Sequence, residues 1–97
     1  MIGWEKRSAK RIPINCPIRI TLPDGQECMG LAHDLSVDGI AFECNVELNE
    51  ASAAEVQLLP PAGARTAPLR GAIEVIRCSA LDTRRGYLIA AALRVTG

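Results

Sequence analysis

The chain has 97 residues and a formal net charge of zero, with 48% hydrophobic and 23% charged residues. That is enough for one globular domain, too little for two independent cores, and not the balance of a disordered chain. Only three aromatics (Trp4, Phe42 and Tyr87) imply an aliphatic core and argue against a single-stranded nucleic-acid platform, which needs several exposed rings for base stacking.

The charge is unevenly placed along the chain. Residues 1–11 hold four bases (Lys6, Arg7, Lys10 and Arg11) and one acid (Glu5), whereas residues 12–97 carry seven bases and ten acids. A protein that grips long DNA or RNA spreads positive charge over a face of its folded body. Here the body is slightly acidic, so the anion implied by the basic arm is small and local. The arm has few apolar residues beyond Trp4 and is expected to be flexible without a ligand. No segment approaches a membrane span, and the N-terminus lacks the apolar run of a secretory signal.

After the arm, strand-like runs dominate. "INCPIRITL" (14–22) alternates Ile18, Ile20 and Leu22 against Arg19 and Thr21, the period of a half-buried strand. Pro23 then suits the second position of a turn and Gly25 accepts positive φ, so "ECMGLAHD" (27–34) returns antiparallel to the first run. "GIAFECNV" (39–46) alternates Ile40, Phe42 and Cys44 against polar or small residues. "ELNEASAAE" is a connector with room for a helical turn. "EVQLLP" (55–60), "LRGAIEVIRCSA" (69–80) and "YLIAAALRV" (87–95) complete six strands, separated by the loops "PAGARTAP" and "LDTRRG". The expected fold is all-β: a six-stranded antiparallel barrel (13–97) with a flexible basic arm (1–12) and little helix.

Pairing outward from the Pro23–Gly25 turn places Asp34 roughly opposite residue 14. The segment "HDLSVDG" therefore shares one end of the sheet with the basic arm. Taken alone, Asp34 and Ser36 read as a self-capped turn between strands, and Gly39 as a residue with positive φ or one whose backbone a ligand approaches. Taken alone, Arg7 and Arg11 at RxxxR spacing read as solvated charge.

The four cysteines (Cys16, Cys28, Cys44 and Cys78) form no CxxC pair and the single histidine is His33, so no metal site is expected. Reduced thiols packed as small hydrophobes in a cytosolic protein account for them. One histidine also leaves no nucleophile–base–acid set, so an enzyme is not expected.

In combination the motifs are specific. An RxxxR arm, a strand opening "RIPINCPIRI", a hairpin, and DxSxxG running into "GIAFE" resemble the PilZ domain family over nearly the whole chain. The resemblance implies a six-stranded barrel that binds the bacterial second messenger cyclic di-GMP, with no cofactor. It assigns ligand binding to Arg7 and Arg11 in the arm and to Asp34, Ser36 and Gly39 on the barrel, with Lys6 and Lys10 as accessory cations. Partners implied are cyclic di-GMP and an effector protein or fused domain, with no DNA or RNA and no membrane insertion, in the bacterial cytoplasm or the cytosolic domain of a larger protein. Two readings compete: a PilZ-like adaptor that binds no nucleotide, and a small nucleic-acid-binding barrel, which the acidic body disfavours. The chain departs from the family in its last strand, where Ala90 and Leu93 replace a common glycine and aromatic. It also ends at Gly97, where members often continue into a helix, which leaves a stand-alone protein and an excised domain both open.

Overall fold

In the computed structural model, which describes residues 10–97, six strands follow one another: β1 (Ile12–Thr21), β2 (Glu27–Leu35), β3 (Gly39–Cys44), β4 (Ala53–Leu58), β5 (Leu69–Ala80) and β6 (Tyr87–Val95). They close in the order β1-β2-β3-β6-β5-β4, with β4 returning to β1, and every pairing is antiparallel. Closure through Ile18–Thr21 of β1 against Glu55–Leu58 of β4 removes the free edge strands of an open sheet, which is how a small all-β chain avoids edge-to-edge association.

Alternation builds the core. Ile18 and Ile20 of β1, Phe42 of β3 and Ile89 of β6 are fully buried, with Val56, Val75 and Leu58 around them. Among the described residues Phe42 is the single aromatic at the centre and no polar side chain is buried. Cys16 and Cys44 are buried and Cys28 and Cys78 half-buried, all as free thiols. Burial pushes the Cys44 thiol up to about 11, so it stays protonated and behaves as a small hydrophobe.

The β1–β2 hairpin follows the expected turn chemistry. Gly25 has φ +90°, its N–H donates to the Leu22 carbonyl at 2.9 Å, and the Leu22 N–H donates to the Gln26 carbonyl at 2.8 Å. The Asp24 carboxylate accepts the Gln26 N–H at 2.9 Å, an Asx-type closure. The connector before β4, which has room for a helical turn, forms none. That connector is instead a tight turn whose Ser52 N–H donates to the Asn49 carbonyl at 3.1 Å, and it is tied to β5 through the Ala51 N–H and the Val75 carbonyl at 2.8 Å. Leu48 of the same connector is buried in the core, and anchoring that side chain leaves too few residues for a helix.

Three irregularities interrupt the ladders. Ile14 and Asn15 together oppose one residue of β2, His33 is an extra residue on β2 relative to β3, and Ile76 is extra on β5 relative to β6. Asn15 has φ +45°, a left-handed conformation that Asn adopts more readily than most residues. Each bulge shifts the following residues to the opposite face of the sheet.

Candidate functional site

The bulge at His33 creates the corner around Asp34. Ala32 faces the core, so strict alternation would bury Asp34 two residues later. The extra residue instead sets Asp34 opposite Ala41 on the outer face, while Leu35 returns inward opposite Ile40. Across β1, Asp34 pairs with Pro13. The sequence reading placed it opposite residue 14; the Asn15 bulge absorbs one residue and accounts for the difference.

Arg11, immediately before β1, donates from Nη1 to Asp34 Oδ1 at 2.7 Å. Their side chains are 56% and 30% exposed, so the pair is a surface ion pair. Its net contribution to stability is about 0–1 kcal/mol. Asp34 therefore does not cap the following turn, as its sequence context alone suggested. That turn is closed by Ser36, whose N–H donates to the Gly39 carbonyl at 2.9 Å and whose hydroxyl donates to Asp38 Oδ1 at 3.1 Å. The Leu93 N–H donates to the Asp38 carbonyl at 3.0 Å and fastens the turn to β6.

Gly39 does not have positive φ, contrary to one of the two readings of it. A Cβ there would lie 3.4 Å from the Ala91 carbonyl oxygen and 3.5 Å from Ser36 Oγ, close to ordinary contact. The protein's own packing therefore makes little demand for glycine at this position. Lys10 is exposed and lies beside Ser36 and Val37 at the barrel mouth, next to Ile12, Leu69 and Val95. Lys6 and Arg7, assigned to the site from sequence, lie outside the described residues.

The registers also reveal what single-strand reading missed. Asp34 on β2, Ala41 on β3, Ala90 on β6 and Arg77 on β5 stand side by side on the outer face. Three inter-strand steps separate Asp34 from Arg77, about 14 Å. Two alanines thus form a low floor between an acid and a base. Ala90, noted as a departure from the family pattern, belongs to this floor, whereas Leu93 is buried in the core. Arg77 owes its outward position to the Ile76 bulge, as Asp34 does to His33. The available signal was a charged residue two positions after a core residue, Ala32 or Val75, where alternation would have buried it.

Beside the floor, Glu43 accepts two contacts from Arg84 Nη2, at 2.6 and 2.7 Å, and one from His33 Nε2 at 2.6 Å. Hydrogen bonding by Arg84 first, and by His33 second, holds the Glu43 carboxyl below the usual range. Among the described residues no cluster of three or more His, Cys, Asp or Glu is arranged to hold a metal ion.

A closed six-stranded antiparallel barrel, with an arginine at the root of its leader paired to an aspartate on a bulged outer corner, defines the class. The PilZ domain family model matches residues 5–95, and the chain belongs to that family. Three solved structures share the fold. The Bacillus subtilis inhibitor of motility MotI/DgrA superposes with a TM-score of 0.74 at 14% identity, over 93% of this chain and 44% of that one. The K. pneumonia MrkH–c-di-GMP complex gives 0.65 at 17% identity, over 91% and 44%. The PilZ domain of Escherichia coli YcgR, solved with c-di-GMP, gives 0.63 at 14% identity, over 93% and 77%. The chain thus spans less than half the length of the first two. A search of curated proteins finds no match.

Proposed function

We propose that this chain is a receptor for cyclic di-GMP, not an enzyme, and that the ligand lies on the outer face between the leader and the Asp34 corner. The observation that carries the reading is the 2.7 Å Arg11–Asp34 pair. It joins the RxxxR and DxSxxG segments at one point, as a clamp on a guanine dinucleotide requires. Membership of the PilZ family and the two c-di-GMP complexes among the structural neighbours support the same ligand.

In the free protein Arg11 and Asp34 satisfy each other. The ligand would enter by exchange: Asp34 accepts from guanine N1–H and the exocyclic amine, and Arg11 turns its fork to phosphate or to the guanine O6/N7 edge. An exposed ion pair is inexpensive to break, so the exchange opposes binding little. Arg7 would supply a second fork and Lys6 and Lys10 a less directional field. Ser36 keeps the turn in shape, and Gly39 lets the ligand approach the backbone. Arg77, at the other end of the alanine floor, is placed to meet the second phosphate or guanine. Drawing the leader onto the ligand would present a new surface to an effector protein or fused domain, and Trp4 would report the change by fluorescence.

Calorimetric titration with cyclic di-GMP, with GTP and cyclic di-AMP as controls, tests the reading. Binding selective for cyclic di-GMP is expected, weakened at least ~10-fold in Arg7→Ala and in Arg11→Ala, the usual loss for a charged hydrogen bond. No heat of binding to the wild type would refute it and leave the adaptor reading; wild-type affinity in both variants would refute the arginine clamp.

A further inference from the structure

An acid beside an anion site needs a reason. Glu43 lies on the outer face two residues along β3 from Ala41, the residue opposite Asp34, a separation of about 7 Å along the strand. An ionised carboxylate there repels a phosphodiester. Its side chain is 17% exposed, covered by Arg84 and His33. The repulsion is a cost for a receptor of a dianion.

Its contacts supply the reason. His33 is the extra residue that turns Asp34 outward, and it is skipped in the register with β3. A bulged residue has lost its ladder partner, and a one-residue migration of the bulge would move Asp34 to the other face. His33 is pinned by its side chain instead, through Nε2 and Glu43 Oε2 at 2.6 Å. An ionised carboxylate only accepts, so the shared proton sits on Nε2. Glu43 is in turn fixed by Arg84 at 2.6 and 2.7 Å, from the β5–β6 loop. Three elements therefore converge on the residue next to Asp34.

We propose that Glu43 is a positioning residue: by holding His33 in the β2 bulge, with Arg84 as its own anchor, it keeps Asp34 on the outer face where the ligand is read. The inference rests on the cyclic di-GMP reading for its ligand, but its structural half stands on the free protein. It also has an electrostatic consequence of distinctive sign. If Glu43 acted only as a charge, removing it would tighten binding of a dianion. If it positions Asp34, removing the acceptor weakens binding, and an uncharged acceptor restores it.

The experiment compares Glu43→Ala, Glu43→Gln and His33→Ala by calorimetry with cyclic di-GMP and by amide spectra of the free proteins. Glu43→Ala and His33→Ala are expected to bind about 10-fold more weakly, the scale of a lost hydrogen bond to a charged group. Glu43→Gln, whose amide oxygen still accepts from His33, is expected to bind at least as tightly as the wild type. Equal or tighter binding by Glu43→Ala would overturn the proposal. His33→Ala carries the same test if Glu43→Ala does not fold. If the wild type binds no cyclic di-GMP, the ligand reading fails and the positioning claim is judged on the free protein. The Asp34 and Leu35 amide resonances must then move in His33→Ala and Glu43→Ala but stay near wild type in Glu43→Gln; unmoved resonances in the two alanine variants would overturn it.

Discussion

The two ends of the β1–β2 pair obey different rules. From Thr21↔Glu27 to Cys16↔Ala32 the register is unbroken, the hairpin turn uses the residues its geometry asks for, and alternating side chains enter the core. Beyond that point Ile14 and Asn15 share one partner on β2, His33 is extra relative to β3, a non-glycine residue takes positive φ, and Arg11 pairs with Asp34 on the surface. The regular end is built for stability. The irregular end gives up ladder bonds to turn an aspartate toward solvent beside the leader, a departure from local consistency expected at a functional site. Substitutions at the first end should cost folding, and those at the second should cost binding.

The largest effect is expected at the regular end. Gly30 passes so close to β3 that a Cβ would collide with the Glu43 carbonyl, a backbone atom with no freedom to retreat. Gly30→Ala should destabilise the barrel by about 3 kcal/mol, read as a large fall in the chemical-denaturation midpoint. A variant with unchanged stability would show that the β2–β3 approach is looser than described.

Asp34→Ala should do the converse. Cyclic di-GMP affinity should fall by about 2 kcal/mol, the range for a hydrogen bond to a charged group, while folding stability changes by ~0–1 kcal/mol because the ion pair is exposed. If both fall together, the corner is as structural as the hairpin and the comparison fails.

Asn15→Val sharpens it. A β-branched residue at φ +45° costs about 1–2 kcal/mol, and the strain bears on the strand that Arg11 leads into. Stability should drop modestly and affinity with it, whereas Asn15→Gly should preserve both.

The smallest effect is in the acid range. The Glu43 carboxyl is held below its ordinary value by Arg84 and then His33, so its ionised form favours the folded state. That stability is fully present above the unfolded glutamate value of ~4.3 and is lost as pH falls below it. Wild type should therefore lose more stability than Glu43→Gln between about pH 5 and pH 3. Parallel curves would mean that Arg84 and His33 do not hold the carboxylate in solution.

The same division decides what was legible in the sequence. Strands, turn and barrel closure follow from alternation around Ile18, Ile20, Ile40 and Phe42 and from Pro23 and Gly25, because the regular parts repeat a period of two. The meeting of Asp34 with the leader followed from counting along the hairpin, one residue off because a bulge at Asn15 leaves no mark in hydrophobicity. Arg77 and the Glu43–His33–Arg84 cluster were missed because they exist only across strands. Glu43 and Arg84 are 41 residues apart, and no local pattern joins them. Gly39 was half legible: its lack of a side chain was noted, but not that the backbone there is ordinary. Arg7 remains a sequence assignment that the Arg7→Ala titration decides.

The most direct test of the central claim is an amide-resolved titration of the free protein with cyclic di-GMP. Shifts should concentrate at 34–41, at 77 and at 90–92, while 22–26 at the regular end stays silent. A response centred on 22–26 or on 84–87, with 34–41 unmoved at saturation, would place the ligand elsewhere and contradict the account.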